Sequence, residues 1–236
     1  MVGVGLLTSS SMILYLLGGL LSGFLLAWLL ITTAEFEREF SSFSFVVFVM
    51  KDKGWHRAFL YAFFGALMAL LFALNVLVLG QQSGLVPIQL LSFFLVAAGV
   101  YDLTFRLIPV LLIIFLVMVV AVLSLFFSFP LGLKESLLGA AIVGGLVLLL
   151  YVITKRKGIG EADIFLGATI GAIFGWTKGL LVFSLGNVIG LLFVMPLIAV
   201  FGKERMKQVP LVFFLVVAIF LQWYLGYADL ILKYLA

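Results

Sequence analysis

Apolar stretches of about 20 residues recur along almost the whole chain, and short connections between them hold nearly all of the charges. A helix of that length crosses a bilayer, because about 20 residues rising about 1.5 Å each cover a hydrocarbon core of about 30 Å. With 66% hydrophobic and only 10% charged residues, a single anchor on a soluble domain does not explain the composition. The sequence therefore predicts an all-α, polytopic membrane protein.

Hydropathy predicts about eight transmembrane helices. They lie at residues 12–32, 58–79, 86–101, 108–130, 136–154, 162–176, 179–201 and 210–228. We expect residues 1–236 to form one transmembrane domain, because no long polar segment separates the apolar stretches.

Glycines recur at four-residue spacing in two of the predicted helices. They are Gly19 and Gly23 in the first helix and Gly167, Gly171 and Gly175 in the sixth. Small residues at this spacing let a neighbouring backbone approach, so we expect these glycines to serve close helix packing.

The basic residues are distributed unevenly over the connections. Segments 33–57, 102–107, 155–161 and 202–209 together hold all of the 14 Lys and Arg residues except Lys134, Lys178 and Lys233. The two sets of connections alternate along the chain. By the positive-inside rule the first set is cytoplasmic, which predicts that both termini lie outside and that segment 33–57 is a solvated cytoplasmic loop.

Several kinds of site are excluded or disfavoured by residue usage. The chain has no cysteine and one histidine, His56, so disulfides, thiolate zinc sites, iron–sulfur clusters and histidine-rich metal centres are excluded. We predict no metal site. Nucleic-acid binding is not expected either, because no basic face with interleaved aromatic residues lies outside the spans.

Two acidic residues lie at predicted helix ends on the same side of the membrane. Asp102 follows the third helix and Asp163 begins the sixth, so the two carboxylates can meet. Two like charges a few ångströms apart would share one proton. One carboxylate could then activate a water molecule while the other protonates a carbonyl oxygen, which is aspartyl proteolysis without a metal or cofactor.

The residues alone leave other interpretations open. Asp102 and Arg106 have the i, i+4 spacing of a helical ion pair, and Glu161 and Asp163 could simply favour the start of a helix. A small transporter or channel could also use Asp102, Asp163 and Asn187 as an ion path.

Two segments around these acids resemble motifs of the type IV prepilin peptidases, which are polytopic aspartyl proteases of the inner membrane. Segment 101–109, Tyr-Asp-Leu-Thr-Phe-Arg-Leu-Ile-Pro, is similar to the family's first motif, in which five residues separate Asp from Ile-Pro. Segment 158–164, Gly-Ile-Gly-Glu-Ala-Asp-Ile, is similar to the second, where a glycine-rich turn precedes the aspartate. Segment 207–210, Lys-Gln-Val-Pro, resembles the basic entry to the final span. The resemblance covers roughly residues 86–228.

The resemblance implies that Asp102 and Asp163 form a catalytic dyad. Asp163 is preferred to Glu161 because it is the aspartate and because the residues after it match the family. The remaining predicted site residues would shape the loops or contact the substrate; they are Gly158, Gly160, Glu161, Arg106 and Pro109.

The substrate that the resemblance implies is a precursor of a type IV pilus or type II secretion pilin-like protein. Its basic leader would be removed at the cytoplasmic face of the inner membrane, after a glycine that precedes the substrate's hydrophobic helix. The expected partners are this precursor and the lipid bilayer.

The sequence also departs from the family. Val110 replaces the polar residue usual after Ile-Pro, and Phe165 stands where many members have Lys. Segment 33–57 lacks the paired cysteines associated with N-methylation, so the use of S-adenosylmethionine as a methyl donor is an open question. The presenilin and signal peptide peptidase group also pairs Tyr-Asp with Gly-x-Gly-Asp. Tyr101-Asp102 fits its first motif, but Glu161 breaks the second.

Overall fold

A computed structural model describes residues 9–36, 55–79, 85–105, 108, 110–126, 131–155, 159–201 and 210–235. Over these residues the fold is all-helical, with no strand, as predicted. The seven helices are α1 Ser9–Phe36, α2 Trp55–Leu79, α3 Leu85–Phe105, α4 Val110–Phe126, α5 Leu133–Ile153, α6 Glu161–Phe201 and α7 Leu211–Leu235.

Four of these helices are long and apolar enough to cross a membrane, at Met12–Thr32, Val86–Leu103, Leu133–Ile153 and Glu161–Pro196. This number is smaller than the eight spans predicted. Three shorter apolar stretches, Tyr61–Leu77, Leu112–Phe126 and Leu211–Leu225, lie within α2, α4 and α7 where the side chains are described. Two of the predicted helices fall together within α6. Large apolar side chains are exposed on many of the helices, as expected of a membrane protein, whose surface is in contact with lipid.

Residues Met1–Phe93 form one compact unit. In it α1 packs closely on α2, because a side chain on Gly19 would overlap the backbone of Ala69 and one on Gly23 would overlap the backbone of Phe64. Small residues allow such close approach between membrane helices. The expectation that Gly19 and Gly23 serve packing is confirmed.

A buried polar cluster joins α2 to the start of α3 in the same unit. The side-chain Nδ2 of Asn75 donates to Gln89 Oε1 and to Ser92 Oγ, both at 3.0 Å. Gln89 Nε2 in turn donates to the carbonyl oxygen of Phe72 at 3.1 Å. Asn75 therefore forms the interhelical hydrogen bonds expected of a polar residue within an apolar span.

Residues Phe94–Ala236 form the second unit, in which α5 packs against α6 through small residues. Gly139 and Gly171 approach so closely that a side chain on either one would overlap the backbone of the other. A side chain on Gly144 would overlap the methyl group of Ala168, and one on Gly167 would overlap the side chain of Val147 in α5. These contacts confirm the close packing predicted for Gly167 and Gly171 in the glycine series of this helix.

The third glycine of that series, Gly175, also lies against Gly139, and it has a second role. Its backbone has φ 73° and ψ 178°, a conformation that is essentially restricted to glycine. Gly179 approaches the backbone of Gly171, yet eight residues of straight helix would separate the two by about 12 Å. The chain therefore reverses at Gly175, and α6 consists of a first arm, residues 161–174, and a second arm, residues 176–201.

The relative directions of the two arms and α7 follow from their contacts. Phe174, next to the reversal, has its ring 6.5 Å from that of Trp223 in the middle of α7. Further along the second arm, Gly186 packs against Leu215 and Gly190 against Phe214. The second arm and α7 are thus antiparallel. As a result, the first residues of α6 and the first residues of α7 lie at the same end of this unit, away from the reversal.

Two predicted boundaries differ from the structure. Asp102 was expected just after the third helix but lies within α3, which continues to Phe105 because no helix-breaking residue occurs before Pro109. The predicted loop 33–57 begins and ends in helix, since α1 extends to Phe36 and α2 starts at Trp55. The rest of that loop lies outside the described residues.

Candidate active site

Asp102 lies in the last turns of α3 and is only 7% exposed. Its Oδ2 accepts a hydrogen bond from the backbone N–H of Val212 at 2.7 Å and another from that of Phe213 at 3.2 Å. The carboxylate is therefore held by a helix that begins 109 positions later in the chain, at Leu211.

This contact provides a hydrogen-bond acceptor for the first backbone N–H groups of α7. The first N–H groups of a helix lack partners within the helix, and side-chain oxygens usually accept from them. Pro210, which precedes α7, has no such oxygen, so Asp102 supplies the acceptor from α3. Gly99, one turn earlier, packs against Val216 and Phe213 and allows α3 to approach α7.

Asp163 is the third residue of α6 and is also 7% exposed. Its Oδ2 accepts a hydrogen bond from the backbone N–H of Gly160 at 2.7 Å, while the N–H of Asp163 donates to the carbonyl oxygen of Gly160 at 3.2 Å. An acid at the third helical position that reaches back in this way forms half of a capping box. The carboxylate is therefore folded over the turn that starts the helix.

Glu161, two residues before Asp163, has a partner on the preceding helix. The hydroxyl of Tyr151, near the end of α5, donates to Glu161 Oε1 at 2.8 Å. Tyr151 is 9% exposed, whereas Glu161 is exposed. Sequence reasoning missed Tyr151, and the only available signal was a phenol near the end of an apolar helix, just before the glycine-rich segment.

The helix packing brings Asp102 and Asp163 to the same end of their unit. Asp163 precedes the reversal at Gly175 by 12 residues, or about 18 Å of helix. Val212, which holds Asp102, precedes Trp223 by 11 residues, or about 17 Å, and Trp223 lies beside the reversal. The two carboxylates are thus at similar heights above the reversal.

Three other predicted site residues, Gly158, Arg106 and Pro109, lie outside the described part of the chain. Gly160 and Glu161 are described and belong to the same turn as Asp163. Among the residues that the structure describes, no group of three or more His, Asp or Glu side chains could hold a metal ion.

These features define a class of protein: a helical membrane protein with two buried aspartates. Each aspartate accepts from backbone N–H at the start of a helix. The model of the type IV leader peptidase family matches residues 89–195, a range that includes both aspartates. The match supports this family for that part of the chain, and the family is one of peptidases. No curated protein and no solved structure matches the chain.

Proposed function

We propose that the protein is an integral membrane aspartyl endopeptidase that removes the basic leader from type IV prepilin-like precursors. The observation that carries the proposal is the burial of Asp102 and Asp163 at the same end of their unit, both within the residues that the family model matches. Ionisable residues within apolar helices are costly and mark functional sites by default, so two buried aspartates at one end favour a function beyond capping two helices.

In the proposed reaction, Asp102 and Asp163 act as a pair that shares one proton. The ionised carboxylate takes a proton from a water molecule, whose oxygen attacks the scissile carbonyl carbon, and the other carboxyl group donates its proton to the carbonyl oxygen. On collapse of the tetrahedral intermediate, a hydroxyl group of the intermediate returns a proton to the carboxylate that had donated one. The C–N bond breaks, and the leaving nitrogen receives the proton that the other carboxyl group had taken from water and becomes the new amino terminus. The hydrogen bonds from Val212 and Gly160 hold each carboxylate in one orientation, which this chemistry requires.

The proposed topology has eight spans, with the two arms of α6 as separate spans and both termini outside. It is supported by the reversal at Gly175 and by the clustering of Lys and Arg in alternate connections. Both aspartates then face the cytoplasmic side of the cell membrane, where a basic leader would arrive. Proteolysis needs no cofactor in this proposal.

The transporter interpretation receives less support from the structure. Asn187 was its third polar residue, but its Nδ2 donates to the carbonyl oxygen of Phe183 in the same helix at 2.7 Å, and its side chain is exposed on the surface. Asp102 and Asp163 are buried instead. The three residues therefore do not line one path through the described helices.

Co-expression with a candidate prepilin tests the proposal. We expect leader removal by the wild-type chain and a loss of about 10²- to 10⁴-fold in Asp102→Asn and in Asp163→Asn, which is the usual contribution of acid–base catalysis. Glu135→Gln is the matched control, because Glu135 is an exposed acid at the start of α5, far from both aspartates. Unchanged leader cleavage in either aspartate variant would exclude a catalytic dyad of Asp102 and Asp163. Altered ion flux without precursor processing would favour the transporter.

A further inference from the structure

The contact between Tyr151 and Glu161 joins the end of α5 to the start of α6. A buried phenol donates to an exposed carboxylate over 2.8 Å, across the connection that holds the glycine-rich segment. An acid that only favoured the start of its helix would need no such partner. Interaction of Glu161 with the helix dipole therefore does not account for this hydrogen bond.

The same turn of α6 contains Gly160, Glu161 and Asp163. The hydrogen bond from the Gly160 N–H to Asp163 Oδ2 fixes the carboxylate relative to the turn, but it does not fix the turn relative to the rest of the protein. The hydrogen bond from Tyr151 to Glu161 does so, because Tyr151 belongs to another helix.

The helix that contains Tyr151, α5, is itself held in place by close packing. Gly139 and Gly144 of α5 are in close contact with the first arm of α6, and Val147 packs against Gly167 one turn before Tyr151. The exit from α5 is also defined, since Lys155 has φ 51°, the left-handed conformation that often ends a helix. Tyr151 thus offers a fixed point from which the start of α6 can be held.

We propose that Tyr151 is a positioning residue for Asp163 and that it acts through Glu161. Its hydroxyl holds the turn 160–163 at a fixed distance from α5, which keeps the Asp163 carboxylate in its reactive orientation. The inference rests on the proposed function of Asp163. It also assigns Glu161 to positioning and not to binding of the basic leader.

Steady-state cleavage of a precursor by a small set of variants tests this assignment. Tyr151→Phe removes only the hydroxyl, and we expect kcat to fall about 10- to 100-fold while KM changes less than about twofold, since small misplacement of a catalytic group has effects of that size. Glu161→Ala should behave alike. The double variant should be no worse than either single variant, because both break the same hydrogen bond.

Glu161→Gln separates positioning from leader binding. Gln retains an oxygen that can accept from Tyr151 but carries no charge. Nearly wild-type kcat and KM in Glu161→Gln would support the inference, whereas a KM raised about tenfold or more would assign Glu161 to the basic leader and overturn it. Tyr61→Phe, in α2 of the other unit, controls for the loss of a phenol hydroxyl elsewhere.

A labelling experiment tests the same contact without any substrate. The chain contains no cysteine, so Ala162→Cys introduces a single thiol between Glu161 and Asp163. We expect Tyr151→Phe to accelerate its reaction with a water-soluble maleimide several-fold, by loosening the turn, and Tyr61→Phe to leave the rate unchanged. An unchanged labelling rate in Tyr151→Phe would overturn the inference. If the wild-type chain cleaves no precursor, the proposed function fails, and labelling alone decides whether Tyr151 holds the turn.

Discussion

Asp102 and Val212 are joined by a hydrogen bond of 2.7 Å between the carboxylate of α3 and the backbone N–H at the start of α7. The same oxygen accepts from Phe213, so one acid satisfies two N–H groups that would otherwise lack a partner in a buried place. Asp102 thus has two roles: it caps α7, and it is the first member of the proposed dyad.

These two roles predict different behaviour for two substitutions of Asp102. Asp102→Asn keeps an oxygen that can accept from Val212, whereas Asp102→Ala leaves buried N–H groups unpaired at a penalty of about 1–3 kcal/mol. We expect both variants to be inactive, with only the Ala variant clearly destabilised. Thermal unfolding in detergent alongside precursor cleavage measures the two effects. Equal stability of the Asn and Ala variants would contradict the capping role.

Val212→Pro removes the N–H donor while leaving Asp102 in place. Proline is tolerated in the first turn of a helix, so α7 should still form. We expect a loss of stability of about 0.5–2 kcal/mol, typical of a lost N-cap, together with at least tenfold slower precursor cleavage. Leu211→Pro, one position earlier in α7, is the control and should retain cleavage. Equal activity of the two variants would show that the N–H of Val212 does not orient Asp102.

The contact between Gly139 and Gly171 predicts that the effect of a Gly→Ala substitution on stability depends strongly on its position in α5. Gly139→Ala places a methyl group against the backbone of α6, and overpacking of this kind costs about 1–3 kcal/mol. Gly145→Ala in the same helix adds its methyl group to open space and should be neutral or slightly stabilising. The midpoints of thermal unfolding of the two variants test this. A similar midpoint for both would contradict the close packing of α5 on α6.

The reversal at Gly175 predicts that alanine is not tolerated there. Alanine at φ 73° and ψ 178° is strained, and we expect Gly175→Ala to lose about 1–3 kcal/mol. Gly132→Ala is the matched control, because Gly132 precedes α5 with φ −59° and has no atom near its added methyl group. Chemical unfolding of both variants measures the difference. Wild-type stability of Gly175→Ala would mean that this residue does not require the glycine-only conformation.

The sequence predicted the helices well because an apolar stretch is a local property of the chain. It also predicted that Gly167 and Gly171 serve close packing, which follows from their spacing. Gly175 has the same spacing, yet it forms the reversal, and nothing in the series of three distinguishes it. The difference depends on tertiary contacts: Gly175 lies beside Leu131, just before α5 begins, and Gly179 of the second arm packs back on Val143 of α5.

The candidate site was predictable only in part. Asp102 and Asp163 stand out in sequence because acids are rare in apolar segments, and their flanking residues match a family. The partner of Asp102 could not be predicted, because Val212 lies 110 residues further along the chain and contributes a backbone group that any residue type carries. Tyr151 was missed for a related reason: its role depends on the position of Glu161 on the next helix.

The central claim is that Asp102 and Asp163 together cleave a leader peptide, and single-turnover cleavage in proteoliposomes tests it most directly. Purified wild-type protein, Asp102→Asn, Asp163→Asn and Glu135→Gln would each be mixed in excess with a precursor that has a basic leader and a hydrophobic helix. We predict cleavage just before that helix by the wild type and by Glu135→Gln, and rates at least about 10²-fold lower for either aspartate variant in a folded state. Wild-type rates in a folded Asp102→Asn or Asp163→Asn protein would contradict the account.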